Sequence, residues 1–173
     1  MRPLAVRSLA PADAAQYRAL RLRALREHPQ AFTSSFEEEQ ARPLDWSAQR
    51  LAASAERPHD FFLGAFAHGA LLGMLGLQGR YRPKERHNAS VVGMYVAPEL
   101  AGQGAGTALL RELITRAGAC EDLEQIDLTV TEGNGRAQGI YERCGFTVCG
   151  TLPRAIKVGD RYYGKVHMVL RLR

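Results

Sequence analysis

The sequence predicts a mixed α/β domain with helices on both faces of one sheet. Three observations predict it. Apolar stretches of helical and of strand period alternate along the chain in the order βααβββαβαββ. No linker, internal repeat or low-complexity segment interrupts that order, and 173 residues suit one domain, expected to span residues 1–173. Hydrophobic residues at 46% and charged residues at 24% match globular proteins, which excludes a disordered tail and a membrane protein. No apolar run approaches the ~18 residues of a membrane span.

Residues 1–9 lack the apolar stretch of a signal peptide and read as a strand. Asp13 is placed to cap a helix whose Tyr17, Leu20, Ala24 and Leu25 form an apolar stripe, and His28-Pro29 ends it. Residues 31–40 are mixed and acidic. Pro43 can begin a second helix that runs through Trp46 and Leu51 to about residue 53. Residues 61–66 and 71–77 read as a hairpin around a turn containing His68-Gly69, followed by a loop with Pro83. Residues 89–96 form the next strand, stopped by Pro98. After a glycine-rich segment, Ala108, Leu109, Leu110, Leu113 and Ile114 recur with helical period. A short strand at 126–130, a helix at 137–143, a strand opened by Gly145-Phe146 and a last strand at 166–172 after the turn Gly159-Asp160 complete the order.

Basic residues exceed acidic ones, giving a formal charge of +5. A nucleic-acid surface is usually a clustered stripe, whereas these arginines are scattered; Arg18, Arg21, Arg23 and Arg26 recur at helical spacing and read as a solvated face. A mildly basic protein suits an anionic small molecule instead. Cys120, Cys144 and Cys149 are odd in number and lack CxxC spacing, so neither a disulfide framework nor a metal site is expected. A reducing, cytoplasmic compartment fits. Cys144 and Cys149 read as small core residues rather than nucleophiles.

Two motifs carry chemistry. The strand at 89–96 leads through Gly102-Gln103-Gly104-Ala105-Gly106 directly into a helix, where backbone N–H groups have no partner and a phosphate fits. A Walker loop would need Gly-Lys-Ser/Thr, and a dinucleotide fingerprint would need glycine at Thr107. Farther on stands a pattern N-x-x-A-x-x-x-Y-x-x-x-G-F, made by Asn134, Ala137, Tyr141, Gly145 and Phe146. Asn134 is placed to cap a helix on which Ala137 and Tyr141 share one face. Tyr141 is either a core aromatic beside Phe146 or a phenol facing the glycine loop, where its O–H can serve a leaving group.

On these residues, together with Val91-Val92-Gly93-Met94-Tyr95-Val96 before Pro98, the chain resembles the GCN5-related N-acetyltransferases, and the resemblance covers most of its length. It implies a single mixed, mostly antiparallel sheet whose strand at 91–96 carries a bulge and splays from the strand at 126–130. Acetyl-CoA is expected in the resulting cleft, without a metal, on Met94, Tyr95, Val96, Gly102, Gln103, Gly104, Ala105, Gly106, Thr107, Asn134 and Tyr141. The family's loop begins with a Gln or Arg where this chain has Ala101, so backbone donors are expected to carry the pyrophosphate. The implied reaction is direct acetyl transfer to a primary amine of a small molecule or protein in a ternary complex. Val96 N–H would hold the oxyanion and Tyr141 would protonate the departing thiolate.

Where some relatives carry a glutamate base, Thr129 stands, so the base is unassigned among Glu37, Glu132 and His87. Phe32, Phe36 and Glu37 are the candidate acceptor residues, with Tyr95 beside them. Relatives acting on small molecules often carry an aspartate after a tyrosine pair; here Tyr162-Tyr163 is followed by Gly164-Lys165. The partners expected are an amine acceptor, with no nucleic acid and no membrane, and a homodimer is left open. The alternative is a non-catalytic acyl-CoA-binding sensor of the same fold.

Overall fold

The computed structural model describes residues 4–173. Seven strands form one sheet in the order β1-β2-β3-β4-β5-β7-β6: β1 (Ala5–Ser8), β2 (Phe61–Ala67), β3 (Ala70–Gly79), β4 (Asn88–Val96), β5 (Gln125–Thr131), β6 (Thr147–Val158) and β7 (Arg161–Arg171). Among the described residues only β4 and β5 pair in parallel; the other neighbours are antiparallel. The expected N-terminal strand is present from Ala5, and residues 1–3 lie outside the described part.

The helices are α1 (Ala14–Glu27), α2 (Phe36–Gln40), α3 (Leu44–Leu51), α4 (Ala105–Ala119) and α5 (Gly135–Arg143). Each face of the sheet is buried under helices because β2 and β3 are apolar on both sides. Phe62, Phe66 and Met74 point toward Tyr17, Leu20, Ala24 and Leu25 of α1 and Leu51 of α3. Their neighbours Leu63, Ala65 and Leu75 point the other way, toward Leu109, Leu110 and Leu113 of α4. Tyr141 of α5 and Phe146 join this second core.

Four expectations change. Residues 31–40 contain a helix, α2, started by a capping box: Glu38 N–H donates to Ser35 Oγ at 3.1 Å and Ser35 N–H to Glu38 Oε2 at 2.7 Å. Asp13 precedes α1 without capping it through its side chain; its carboxylate instead accepts Ala10 N–H at 2.9 Å and the Arg7 guanidinium at 2.8 Å. Cys149 is exposed on the edge strand β6, because β6 turns most of its side chains to solvent; Cys144 is half-buried against the core.

The fourth concerns the arginine face of α1. Arg21 is buried and forms an ion pair with Glu39 of α2, Nη2 to Oε1 at 2.7 Å and Nε to Oε1 at 3.0 Å. Helical spacing alone cannot show that a five-residue helix will cover one arginine of the row. Removing one member of such a pair strands the other in the interior. Glu39→Ala should therefore lower the unfolding free energy in urea by about 3–5 kcal/mol, and a loss below about 1 kcal/mol would show that solvent reaches Arg21.

Candidate functional site

Strand β4 sets the geometry. Its register against β3 runs Gly73–Val96 and Met74–Tyr95, then Gly76–Val92, so Leu75 faces two residues, Gly93 and Met94. Gly93 takes up the extra length at φ +64°, a left-handed conformation that glycine adopts without a Cβ clash. On the other side, β4 pairs with β5 only through Asn88, Ala89 and Ser90. Beyond them β5 stays with β7 as far as Thr131, and β4 leaves it, opening a V. Ala97 N–H donates to Leu72 O at 2.8 Å. Antiparallel alternation then makes Gly73–Val96 a pair without mutual hydrogen bonds and turns the Val96 N–H toward the open side.

A cleft of about 870 Å³ occupies the wide end of this V. Of the expected cofactor residues, Met94, Tyr95, Val96, Gly102, Gly104, Ala105, Gly106, Thr107, Asn134 and Tyr141 line it. Gln103 does not: its N–H donates to Leu100 O at 3.2 Å and its side-chain amide to Glu99 O at 3.0 Å. Gly102 and Gly104 lie at φ +76° and +74°, and a Cβ at either would meet nothing within 4 Å. The floor in front of α4 is therefore open, and the unpaired N–H groups of its first turn give the cleft a positive end. Arg136 and Arg143 add charge to the same cleft. An extended molecule with phosphates fits this donor set.

The opposite wall is α5. Asn134 Oδ1 accepts Ala137 N–H at 3.2 Å, fixing where α5 begins. One turn on from Ala137, Tyr141 is 6% exposed, packs edge-on against Phe146 at 6.0 Å, and donates its O–H across the gap to Met94 Sδ at 3.2 Å. Both readings of this residue thus hold together: its ring belongs to the core and its oxygen faces the cleft. Burial raises the phenol's pKa well above its usual 10, so the proton stays on at neutral pH.

A second cavity of about 260 Å³ continues inward between β4 and β5, and Phe32, Met94, Asn134, Ala137 and Tyr141 line both. Its polar lining includes Arg21, Arg50, Gln78, Thr129 and Lys165. Lys165 Nζ donates to Ala31 O and Thr131 Oγ1, each at 3.0 Å, and to Gln30 O at 3.4 Å. It thereby ties the turn that carries Phe32 to the end of β5.

Phe36 and Glu37 line neither space. The Phe36 ring lies under the Arg26 guanidinium at 4.6 Å, and Glu37 is exposed. Glu132 is on the wall of the large cleft, and His87 is at the closed end of β4, bonded to Asn88 Nδ2 at 3.0 Å. Tyr95 is on the cleft wall with its hydroxyl on Glu27 Oε2 at 2.5 Å. Sequence reading missed Arg21, Arg50, Arg136, Arg143 and Lys165. Arg136, two residues after Asn134, was open to discovery from the motif; the others come together only in space. Among the described residues no group of three His, Cys, Asp or Glu is placed to hold a metal.

A family model described as acetyltransferase (GNAT) family matches residues 22–146. The chain is 30% identical over 121 residues, 69% of each protein, to the L-methionine sulfoximine/L-methionine sulfone acetyltransferase of Pseudomonas paraeruginosa. It is 32% identical over 113 residues, 63% of this chain and 69% of the other, to an L-amino acid N-acetyltransferase of Escherichia coli. In fold it resembles an acetyltransferase from Streptococcus pneumoniae, with a TM-score of 0.83, 23% identity and coverage of 98% and 99%. It also resembles a Salmonella typhimurium acetyltransferase solved with acetyl-CoA, with a TM-score of 0.79, 22% identity and coverage of 99% and 95%.

Burial holds the Lys165 pKa below the 10.5 of an unperturbed lysine. The unfolded chain therefore keeps that proton to higher pH than the folded one, and stability contributed at this site should rise with pH through the folded value and level off near 10.5. Unfolding free energies of wild type minus Lys165→Met, measured from pH 7 to 10.5, should show that rise. A flat difference would contradict it.

Proposed function

The chain belongs to the acetyltransferase (GNAT) family, and from that premise we propose that residues 1–173 form one N-acetyltransferase domain passing an acetyl group directly to a primary amine. It is an acyltransferase with acetyl-CoA as donor. The observation that carries the proposal is the pairing, across one gap, of the Val96 edge of β4 with the buried Tyr141 hydroxyl bonded to Met94 Sδ at 3.2 Å. Acetyl-CoA, when bound, supplies the acetyl group as a thioester.

The residues of the chain then divide the work. The turned-out backbone around Met94 and Val96 offers an extended molecule the bonds of an added strand. The first turn of α4, with Gly104 at its cap, and the neighbouring Arg136 and Arg143 hold the phosphates. Val96 N–H is held in a strand and turned away from β3, and in this reading it would stabilise the negative charge that develops on the carbonyl oxygen without reorganising. Tyr141 O–H gives its proton on the sulfur side. The amine must react neutral; Glu132, on the cleft wall, is the carboxylate of the three candidate bases that reaches this space. The three cysteines are free, which fits work in a reducing compartment.

Tyr141→Phe removes only the O–H. Turnover should fall about 10²- to 10⁴-fold, with the KM for acetyl-CoA and the melting temperature little changed. Full turnover would remove the tyrosine from the chemistry. No turnover by wild type on any amine, with tight acetyl-CoA binding, would favour the sensor reading.

Gly104→Asp tests the binding end. It puts a carboxylate in the open space before α4, where a Cβ meets nothing but is strained by φ +74°. Isothermal titration should show acetyl-CoA affinity lost while circular dichroism reports an intact fold. Unchanged affinity would move the phosphates elsewhere.

A further inference from the structure

We propose that the acceptor amine also carries an oxyanion group, a carboxylate or a chemically similar phosphonate, and that Arg21 and Arg50 bind it in the inner cavity. This rests on the acetyl-transfer reading and names the acceptor's class. Among the described residues the lining of that cavity holds three cations, Arg21, Arg50 and Lys165, and no carboxylate. Lys165 has its three donors placed on three oxygens. Arg21 gives Nε and Nη2 to Glu39. What remain are Arg21 Nη1 and Arg50 Nε, both buried and both without a hydrogen-bond partner among the described residues.

A buried charged donor left unpaired is costly, and two of them on arginines that both line one small cavity point to a partner that arrives from outside. Arg21 is only 7% exposed. Its Nη1 lies 3.8 Å from where a Cβ of Gly93 would be. The bulge glycine thus keeps clear the space in front of the guanidinium, and a side chain there would intrude on it. Aromatic rings steady both arginines: Phe32 lies 4.7 Å from the Arg21 guanidinium carbon and Phe62 5.0 Å from that of Arg50. Planar, fixed guanidinium donors match a carboxylate or phosphonate.

The position also suits the reaction. Met94 and Tyr141 line both spaces, so an acceptor whose amine sits at that junction puts its other end among the arginines. The same positive charges favour the neutral form of the incoming amine. A polyamine or a lysine side chain would bring a cation into a cationic cavity, which disfavours both.

The test measures CoA release with the twenty protein amino acids, neutral aliphatic amines and polyamines. For each active amino acid it adds the carboxamide, the decarboxylated amine and the aminophosphonate. Amino acids or aminophosphonates should be turned over, and the matched neutral amines should lose at least about tenfold in kcat/KM; the carboxylate and phosphonate arms tell the two oxyanions apart. Arg50→Gln should raise the acceptor KM about 10- to 100-fold, with the KM for acetyl-CoA unmoved, and Arg50→Lys should recover part of the loss. Independently of activity, the Arg50 Nε–H resonance of wild type should shift saturably with formate or inorganic phosphate. Neutral amines or polyamines used equally well would overturn the oxyanion site and leave acetyl transfer standing. No CoA release with any amine would overturn acetyl transfer, and the resonance would still decide the site: a shift that does not saturate with either anion overturns it.

Discussion

Between the pairs Met74–Tyr95 and Gly76–Val92, β3 spends one residue and β4 spends two. That mismatch is a β-bulge, and its consequences run through the site. It re-aims β4 so that pairing with β5 stops after Ser90. The backbone beyond is left with donors and acceptors that no neighbouring strand takes. A sheet normally hides such an edge; here it faces the large cleft, where a ligand of extended shape can take the place of water on it. Gly93 makes the bulge affordable by accepting φ +64°. The same missing side chain keeps the cavity in front of Arg21 clear.

The distribution of charge follows from this opening. Beside the V the interior contains a carboxylate, Glu39, already matched to Arg21, together with Arg50 and Lys165. Buried cations without counter-ions weaken a fold, and the core offsets them with apolar packing on both faces of β2 and β3. Two anion-seeking regions result, one before α4 and one at the inner end of the V, with Tyr141 and Met94 where they meet. An enzyme that joins a phosphate-bearing donor to a second molecule gains from that separation, because each partner is held by its own end and the reacting atoms meet between them.

Much of the fold was legible because local pattern dictates it. The apolar stripe of α1, the hairpin of β2 and β3, and the Asn134 cap are short-range features whose physics acts within a few residues. The resemblance to a family supplied what periodicity does not, the bulge and the parting of β4 from β5. What stayed hidden is non-local. Arg21 looks like its neighbours on α1, and only α2, eighteen positions on, buries it. Lys165 meets Gln30 O across 135 positions. The helix α2 is too short for periodicity to show, although Ser35 and Glu38 spell its capping box. Phe36 and Glu37, chosen as acceptor residues from their place in the chain, are turned away from the cavity by that helix.

The central claim is that the Val96 amide is free within a strand until the donor molecule arrives. Residue-resolved amide hydrogen exchange by NMR reads this directly. Without ligand, Val96 should exchange far faster than its neighbours Tyr95 and Ala97, which face β3 and are hydrogen-bonded to it. On saturation with CoA, Val96 should become protected while Tyr95 and Ala97 change little. A Val96 amide already protected in the free protein, or one that CoA leaves unprotected, would contradict the account.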